Sequence, residues 1–134
     1  MTERQSITKQ VLTHIRERYQ AEPEFLWLRL PDCAALRHRE NGKWFAALML
    51  GLPRSRLGLE GDSGVDVLNL KCDPRMIGSL VDGKRILRAY HMNKEHWISV
   101  LLDDSVPLEE LAPLINLSWQ LTLNRKKAKA AKKK

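Results

Sequence analysis

Five short apolar runs lie between two segments of helical periodicity, and this arrangement limits the possible folds more than any other feature of the sequence. In residues 3–19 apolar side chains recur every four positions, which predicts an amphipathic helix. Thr2 and Gln5 form a weak capping box at its start. A second amphipathic helix is predicted over residues 107–121, with a kink or a restart near Pro113. Helices at both ends of the chain must therefore pack on whatever the apolar runs form.

The apolar runs are predicted to be strands, and the residues between them indicate how they pair. Residues 33–39 and 43–50 flank Asn41-Gly42, a dipeptide that is typical of a β-hairpin turn. A long connection is predicted at 52–64, a short helix capped by Asp73 and Pro74 at 74–81, and further strands at 65–71, 86–91 and 96–102. The predicted order is α-β(3)-α-β(2)-α. It indicates an α+β fold with an antiparallel or mixed sheet and helices packed on it.

The net charge of +7 belongs to one end of the chain. Lys and Arg number 23 and Asp and Glu number 16, but seven of the basic residues stand in the last ten positions. Removing those seven leaves 16 residues of each sign. We therefore predict a single domain over residues 1–124 and a disordered Lys/Ala-rich tail over 125–134. The tail cations predicted to attract nucleic acid without sequence preference are Arg125, Lys126, Lys127, Lys129, Lys132, Lys133 and Lys134.

Several classes of protein are excluded by what the sequence lacks. No apolar stretch approaches the roughly 20 residues that cross a membrane, and the N-terminus lacks the plan of a secretory signal. Cys33 and Cys72 are too few for a disulfide scaffold. We therefore predict a soluble, cytoplasmic protein with reduced thiols and no membrane partner. The glycine fingerprints of nucleotide-binding folds and the common hydrolase motifs are absent, so no cofactor is predicted.

The segment from Tyr90 to Trp97 (YHMNKEHW) holds the densest set of polar side chains. As a recognition surface, Lys94 would bind an anion, Asn93 a base edge, and Tyr90 or His91 a base or sugar. The alternative is a structured turn, in which Asn93 adopts an unusual backbone conformation and the histidines cap exposed carbonyls. Spacing alone favours the structural interpretation.

Metal binding and nucleophilic catalysis find little support in the sequence. His91 and His96 are five residues apart, and further ligands would have to come from the remote His38, Cys72 or Asp73, so no metal is predicted. An adjacent carboxylate raises the pKa of a thiol, so Cys72 is predicted to be a packed side chain and not a nucleophile.

Two further groups of residues bear on nucleic-acid binding. Arg54 and Arg56, in the predicted connection, are candidates for phosphate contacts, because loops carry recognition more often than cores do. The four tryptophans lie among apolar neighbours, so we expect them to pack in the core or at an interface.

Several of these segments resemble the MmcQ/YjbR family over residues 20–122. The segments that carry the resemblance are YHMNKEHW at 90–97, LD at 102–103, VP at 106–107, GKWFA at 42–46, LGL at 57–59, NLKCDP at 69–74 and SW at 118–119. The resemblance implies the same α-β(3)-α-β(2)-α order and an architecture compared with frataxin-like and secretion-chaperone-like domains. Family members are labelled DNA-binding through a fold comparison with a double-wing phage transcription modulator, which is an analogy.

The resemblance also names candidate site residues, which are Lys71, His91, Asn93, Lys94, His96 and Trp97. Pro113 and the basic tail depart from the family pattern, so neither inherits a role from it. The first functional hypothesis is a non-catalytic DNA-binding module. The second is a protein-interaction or chaperone-like module that forms a homodimer, and the third is a small-ligand binder or enzyme that uses His91, Asn93, Lys94 and His96.

Overall fold

The computed structural model describes residues 6–25, 33–61, 63–90 and 92–123. The fold is α+β, with three helices and an antiparallel five-stranded sheet of order β1-β2-β3-β5-β4, so the predicted class and element order are confirmed. The elements are α1 (Ile7–Tyr19), β1 (Cys33–Arg37), β2 (Trp44–Pro53), a 3-10 helix (Arg54–Leu57), β3 (Gly64–Lys71), α2 (Pro74–Leu80), β4 (Ile86–Arg88), β5 (Trp97–Leu102) and α3 (Leu108–Leu121).

The starts of α1 and α2 follow from side chains that cap them. α1 begins at Ile7, later than predicted, because the extended residue Ser6 accepts a hydrogen bond from the Lys9 amide at 3.2 Å. The predicted capping box of Thr2 and Gln5 lies outside the described residues. α2 begins as predicted, with Asp73 as its cap and a proline in the first helical position.

Pro113 lies inside α3, which continues past it to Leu121. Of the two predicted alternatives, a kink or a restart, the restart is therefore wrong. Pro113 is exposed, so the helix carbonyl that loses its amide partner can meet water instead.

The β1–β2 hairpin and the connection after it differ in detail from the prediction. Gly42 adopts the left-handed conformation at φ 71°. Asn41 acts instead through its side chain, which accepts a hydrogen bond from the Lys43 amide at 2.7 Å. β2 continues to Pro53, so the predicted connection at 52–64 contains the end of a strand and a 3-10 helix.

All three helices pack on one face of the sheet and form the main core. Its largest buried members from α1, α2 and α3 are Val11, Ile15, Ile77, Leu111 and Ile115. The opposite face carries a smaller cluster of Met49, Val65, Val67, Leu87 and Leu101, with Leu57 and Leu59 packed against it. Strand alternation therefore gives both faces of the sheet a buried apolar layer.

Candidate functional site

The predicted recognition residues of the β4–β5 turn lie beside the last residue of β3 and the first residue of β5. We call this region, which consists of Lys71 and residues 92–97, the turn end. Lys71, the last residue of β3, pairs with Trp97, the first residue of β5. The Cys72 amide then donates to the His96 carbonyl at 2.7 Å. The sheet register thus brings Lys71 beside the turn that carries Asn93, Lys94 and His96, although more than twenty residues separate them in sequence.

Asn93 shapes this turn. Its side-chain oxygen accepts a hydrogen bond from the Glu95 amide at 2.8 Å. Its carbonyl accepts from the amides of Trp97 at 3.0 Å and His96 at 3.2 Å. Asn93 does this without a positive φ, which among the described non-glycine residues occurs at Gln20 and Asp104. The structured-turn interpretation therefore describes Asn93 correctly in its role but not in its backbone conformation.

The backbone of Tyr90 is held by two buried polar side chains. The Asn69 amide group donates to the Tyr90 carbonyl at 2.9 Å, and the Tyr90 amide donates to the Ser99 hydroxyl at 2.8 Å. The Ser99 hydroxyl donates in turn to Asn69, its cross-strand partner. This network takes the place of a strand ladder, so β4 ends at Arg88 and the predicted extension is wrong for residues 89 and 90.

The charged side chains of the turn face solvent. Lys94 and His96 are exposed, Glu95 between them is exposed as well, and Lys71 is half-buried. His91 lies outside the described residues. The turn end can therefore offer the Lys94 ammonium and the His96 imidazole to an anion in solution, with Lys71 next to them.

The Ser118 hydroxyl of α3 is hydrogen-bonded to the backbone at the turn end. Ser118 is fully buried, accepts a hydrogen bond from the Lys71 amide at 2.9 Å and donates to the Phe45 carbonyl. These two backbone groups lie just beyond Ala46 and Leu70, the pair at this end of the β2–β3 ladder. Ser118 thus bridges the two strands where their own ladder stops.

The last described turn of the chain is tied to the β1–β2 hairpin. His38 is 2% exposed, and its Nε2 lies 2.7 Å from the Thr122 hydroxyl. That hydroxyl donates its single hydrogen to the Ser118 carbonyl at 2.8 Å, so toward His38 it can only accept a hydrogen bond. We therefore assign the proton of the neutral imidazole to Nε2. Asn41 donates to the Thr122 carbonyl at 3.1 Å. The chain therefore enters its basic C-terminal segment from the same end of the sheet as Lys71.

Aromatic rings enclose the His38 imidazole. It stacks on Trp119 with ring centroids 3.8 Å apart and meets Phe45 edge-on at 5.4 Å. Burial among these rings disfavours the charged imidazolium and lowers the pKa of His38 below its ordinary value.

This pKa shift predicts a pH dependence of folding. The unfolded chain protonates His38 near pH 6.5 while the folded chain does not, so stability is full above that pH and falls as the pH drops below it. We expect the free energy of unfolding, measured in urea at pH 7.5 and 5.5, to decrease more for the wild type than for His38→Gln. The exposed control His96→Gln should keep the wild-type dependence. Equal decreases in the wild type and His38→Gln would refute the assignment.

Arg54 and Arg56 lie at the opposite end of the sheet. They form part of the 3-10 helix after β2, and Arg54 pairs with Asp103 at 3.3 Å, just past the end of β5. The six residues of β5 separate them from the turn end, a span of about 20 Å. The predicted binding residues therefore divide into two groups, and a single compact contact cannot include both.

The described residues contain no group of three or more metal-ligating side chains. Neither Cys33 nor Cys72 takes part in a disulfide bond. Burial, and then the neighbouring Asp73, raise the pKa of Cys72, which fits its predicted role as a packed side chain. Trp119 packs against the core, Trp44 and Trp97 are half-buried, and Trp27 lies outside the described residues.

Asn69, Ser99 and His38 are site residues that the sequence reading did not select. Asn69 and Ser99 interrupt apolar strands at positions that face a buried layer, and a polar side chain in such a position needs a partner. That signal was present in the sequence. The stacking of His38 on Trp119 joins residues far apart in the chain, and no local pattern reports it.

A family model described as YjbR matches residues 16–121. This span contains the last four residues of α1 and every described element from there to the end of α3. The chain belongs to the YjbR family. Its YjbR domain is 43% identical over 112 residues to YyaQ of Bacillus subtilis, which covers 84% of this chain and 94% of YyaQ. It is 42% identical over 64 residues to YbdF of Escherichia coli O157:H7, which covers 46% of this chain and 51% of YbdF.

Solved structures agree with the YjbR fold. A crystal structure of a Pseudomonas syringae protein superposes with a TM-score of 0.81 at 43% identity, covering 85% of this chain and 97% of that one. A Deinococcus radiodurans protein with a DUF419 domain superposes with a TM-score of 0.66 at 21% identity, covering 90% of this chain and 81% of that one, and shows the fold alone. YyaQ and YbdF are described as uncharacterized proteins, so membership of the YjbR family supplies a fold but no activity. None of the described helices has the length and apolar character needed to span a bilayer.

Proposed function

We propose that this YjbR domain is a non-catalytic DNA-binding module whose contact surface is the turn end together with the C-terminal cations. The observation that carries the proposal is the position of Thr122, which His38 and Asn41 hold at the end of the sheet where Lys71 and the β4–β5 turn lie. The seven cations that follow in the sequence therefore start from the same end as Lys71 and Lys94.

The attraction to DNA would come from two groups of charges, those of the turn end and those of the C-terminal segment. Residues 1–124 are formally neutral, so the domain by itself supplies only a local cationic surface at Lys94 and Lys71, beside the His96 imidazole. The C-terminal cations would supply most of the attraction to phosphates, which does not depend on sequence. The side chains of the turn would fix how the duplex sits on the domain, because contacts to phosphate position a protein on DNA.

Replacing the two lysines of the turn end tests the proposal. We expect Lys71→Ala combined with Lys94→Ala to weaken binding of a labelled duplex by a similar factor on every sequence. The slope of log affinity against log salt should become shallower by about 2, because each phosphate contact contributes about 1. Fluorescence anisotropy at several salt concentrations measures both quantities.

A matched double variant shows whether the loss of binding depends on where the two lysines lie or only on the net charge of the domain. Lys9 and Lys84 are exposed and lie at the opposite end of the sheet. Thr8, next to Lys9, donates a hydrogen bond to Asp66 there. Arg85, next to Lys84, donates to the Ser105 carbonyl. Lys9→Ala combined with Lys84→Ala removes the same charge and should leave the slope nearly unchanged. Equal losses in the two double variants would refute the turn end as the contact surface, and an unbound wild type at low salt would refute DNA binding altogether.

A further inference from the structure

A pocket of about 320 Å³ lies between the end of α1 and the β1–β2 hairpin, away from the turn end. One of its walls is formed by residues 20–24, which follow α1, and the other by residues of the β1–β2 hairpin between Arg37 and Gly42. Its volume is at the small end of the range of about 300–1,000 Å³ that holds small-molecule ligands. The pocket is therefore large enough for a compact metabolite but not for a polymer.

Two of the four charges that line the pocket neutralise each other. Arg37 forms a two-pronged ion pair with Glu24, with nitrogen–oxygen distances of 2.5 and 3.2 Å. The other two charges are Glu22 and Arg39. Both are exposed, and neither forms an ion pair with another described residue. The lining thus offers one carboxylate on the first wall and one guanidinium on the second.

The end of α1 forms part of the first wall. Gln20 ends the helix in the left-handed conformation at φ 54° and lines the pocket itself. Carbonyl groups at a helix C-terminus carry partial negative charge, which favours a cation nearby. Arg16 and Arg18 in the last turn of α1 already supply such cations. Glu22 is therefore the group of the first wall that favours a positive ligand group, while Arg39 favours a carboxylate on the hairpin wall.

We propose that this pocket binds a free α-amino acid, with its ammonium group at Glu22 and its carboxylate at Arg39. A zwitterion matches a lining that carries both signs of charge on separate walls, whereas a simple anion or cation would leave one wall unmatched. This inference does not rest on DNA binding, since it uses none of the residues of the turn end.

The test adds each of the twenty proteinogenic amino acids to the isotope-labelled full chain and records amide spectra. We expect at least one amino acid to give saturable shifts at residues 20–24 and 38–42, with a dissociation constant near or below about 1 mM. Its N-acetyl derivative lacks the ammonium group and its amide lacks the carboxylate, so each should bind at least tenfold more weakly.

Variants of Glu22 and Arg39 test whether these two lining charges bind the amino acid. Glu22→Gln and Arg39→Gln should each weaken binding at least tenfold, whereas the exposed neighbours outside the lining, in the variants Glu17→Gln and Lys43→Gln, should not. The proposal is overturned if no amino acid gives saturable shifts up to about 10 mM. It is also overturned if the N-acetyl and amide derivatives bind as well as the free amino acid.

Discussion

Ser118→Ala should destabilise the domain by about 2–4 kcal/mol, because it removes the hydroxyl that bridges β2 and β3 at the turn end. The Lys71 amide would lose its acceptor and the Phe45 carbonyl its donor. Each buried group left without a partner costs about 1–3 kcal/mol, which is a large fraction of the stability of an ordinary domain. Urea unfolding followed by circular dichroism measures this loss, and the midpoint of thermal unfolding should fall by roughly 10 °C.

Ser79→Ala is the matched control for this change. Ser79 is an exposed residue of α2, so the same substitution there should alter stability by less than about 0.5 kcal/mol. If Ser118→Ala unfolded at the same urea concentration as Ser79→Ala, the bridge between α3 and the two strands would be incorrect.

Removal of residues 125–134 should produce the largest change in DNA affinity. The segment carries seven cations, and each phosphate that a cation neutralises contributes about −0.9 to the slope of log affinity against log salt. We therefore expect the slope to become shallower by up to about 6. Lowering the salt from about 0.2 M to about 0.05 M should then strengthen binding by the full chain up to about three orders of magnitude more than binding by the shortened chain. Anisotropy titrations of the full chain and of residues 1–124 compare the two directly.

A shortened chain that bound as tightly as the full chain would remove the C-terminal cations from the account. A shortened chain that kept a weak, salt-dependent affinity would show the contribution of the domain alone. Adding Lys71→Ala and Lys94→Ala to the shortened chain should then abolish that residual affinity.

The sequence predicted the features that depend on neighbouring residues. Asp73-Pro74 marked the start of α2, and the Asn41-Gly42 dipeptide marked the β1–β2 hairpin, because caps and turns act within a few residues. The order of the elements followed from the change in apolar period along the chain. The boundary errors have local causes, since Ser6 caps α1 within the predicted helix and Asn69 and Ser99 hold Tyr90 beyond the end of β4.

The features that depend on distant pairs could not be predicted in this way. The placement of β5 between β3 and β4 brings Lys71 to the turn at residues 92–96 and sends Arg54 to the other end of the sheet. Composition and spacing do not determine which strands pair. Arg54, Arg56 and Lys94 were therefore predicted as one set of candidate binding residues. The contacts of His38 with Trp119 and Thr122 also join the two ends of the chain and have no local signature.

The most direct test of the account is an amide chemical-shift map of the full chain titrated with a short DNA duplex. The account predicts shifts at Lys71, at residues 92–97 and at residues 41–43, with none near Arg54, Lys9 or Lys84. Shifts centred on Arg54 and Arg56 would contradict it, as would a titration that changes no amide of the turn end.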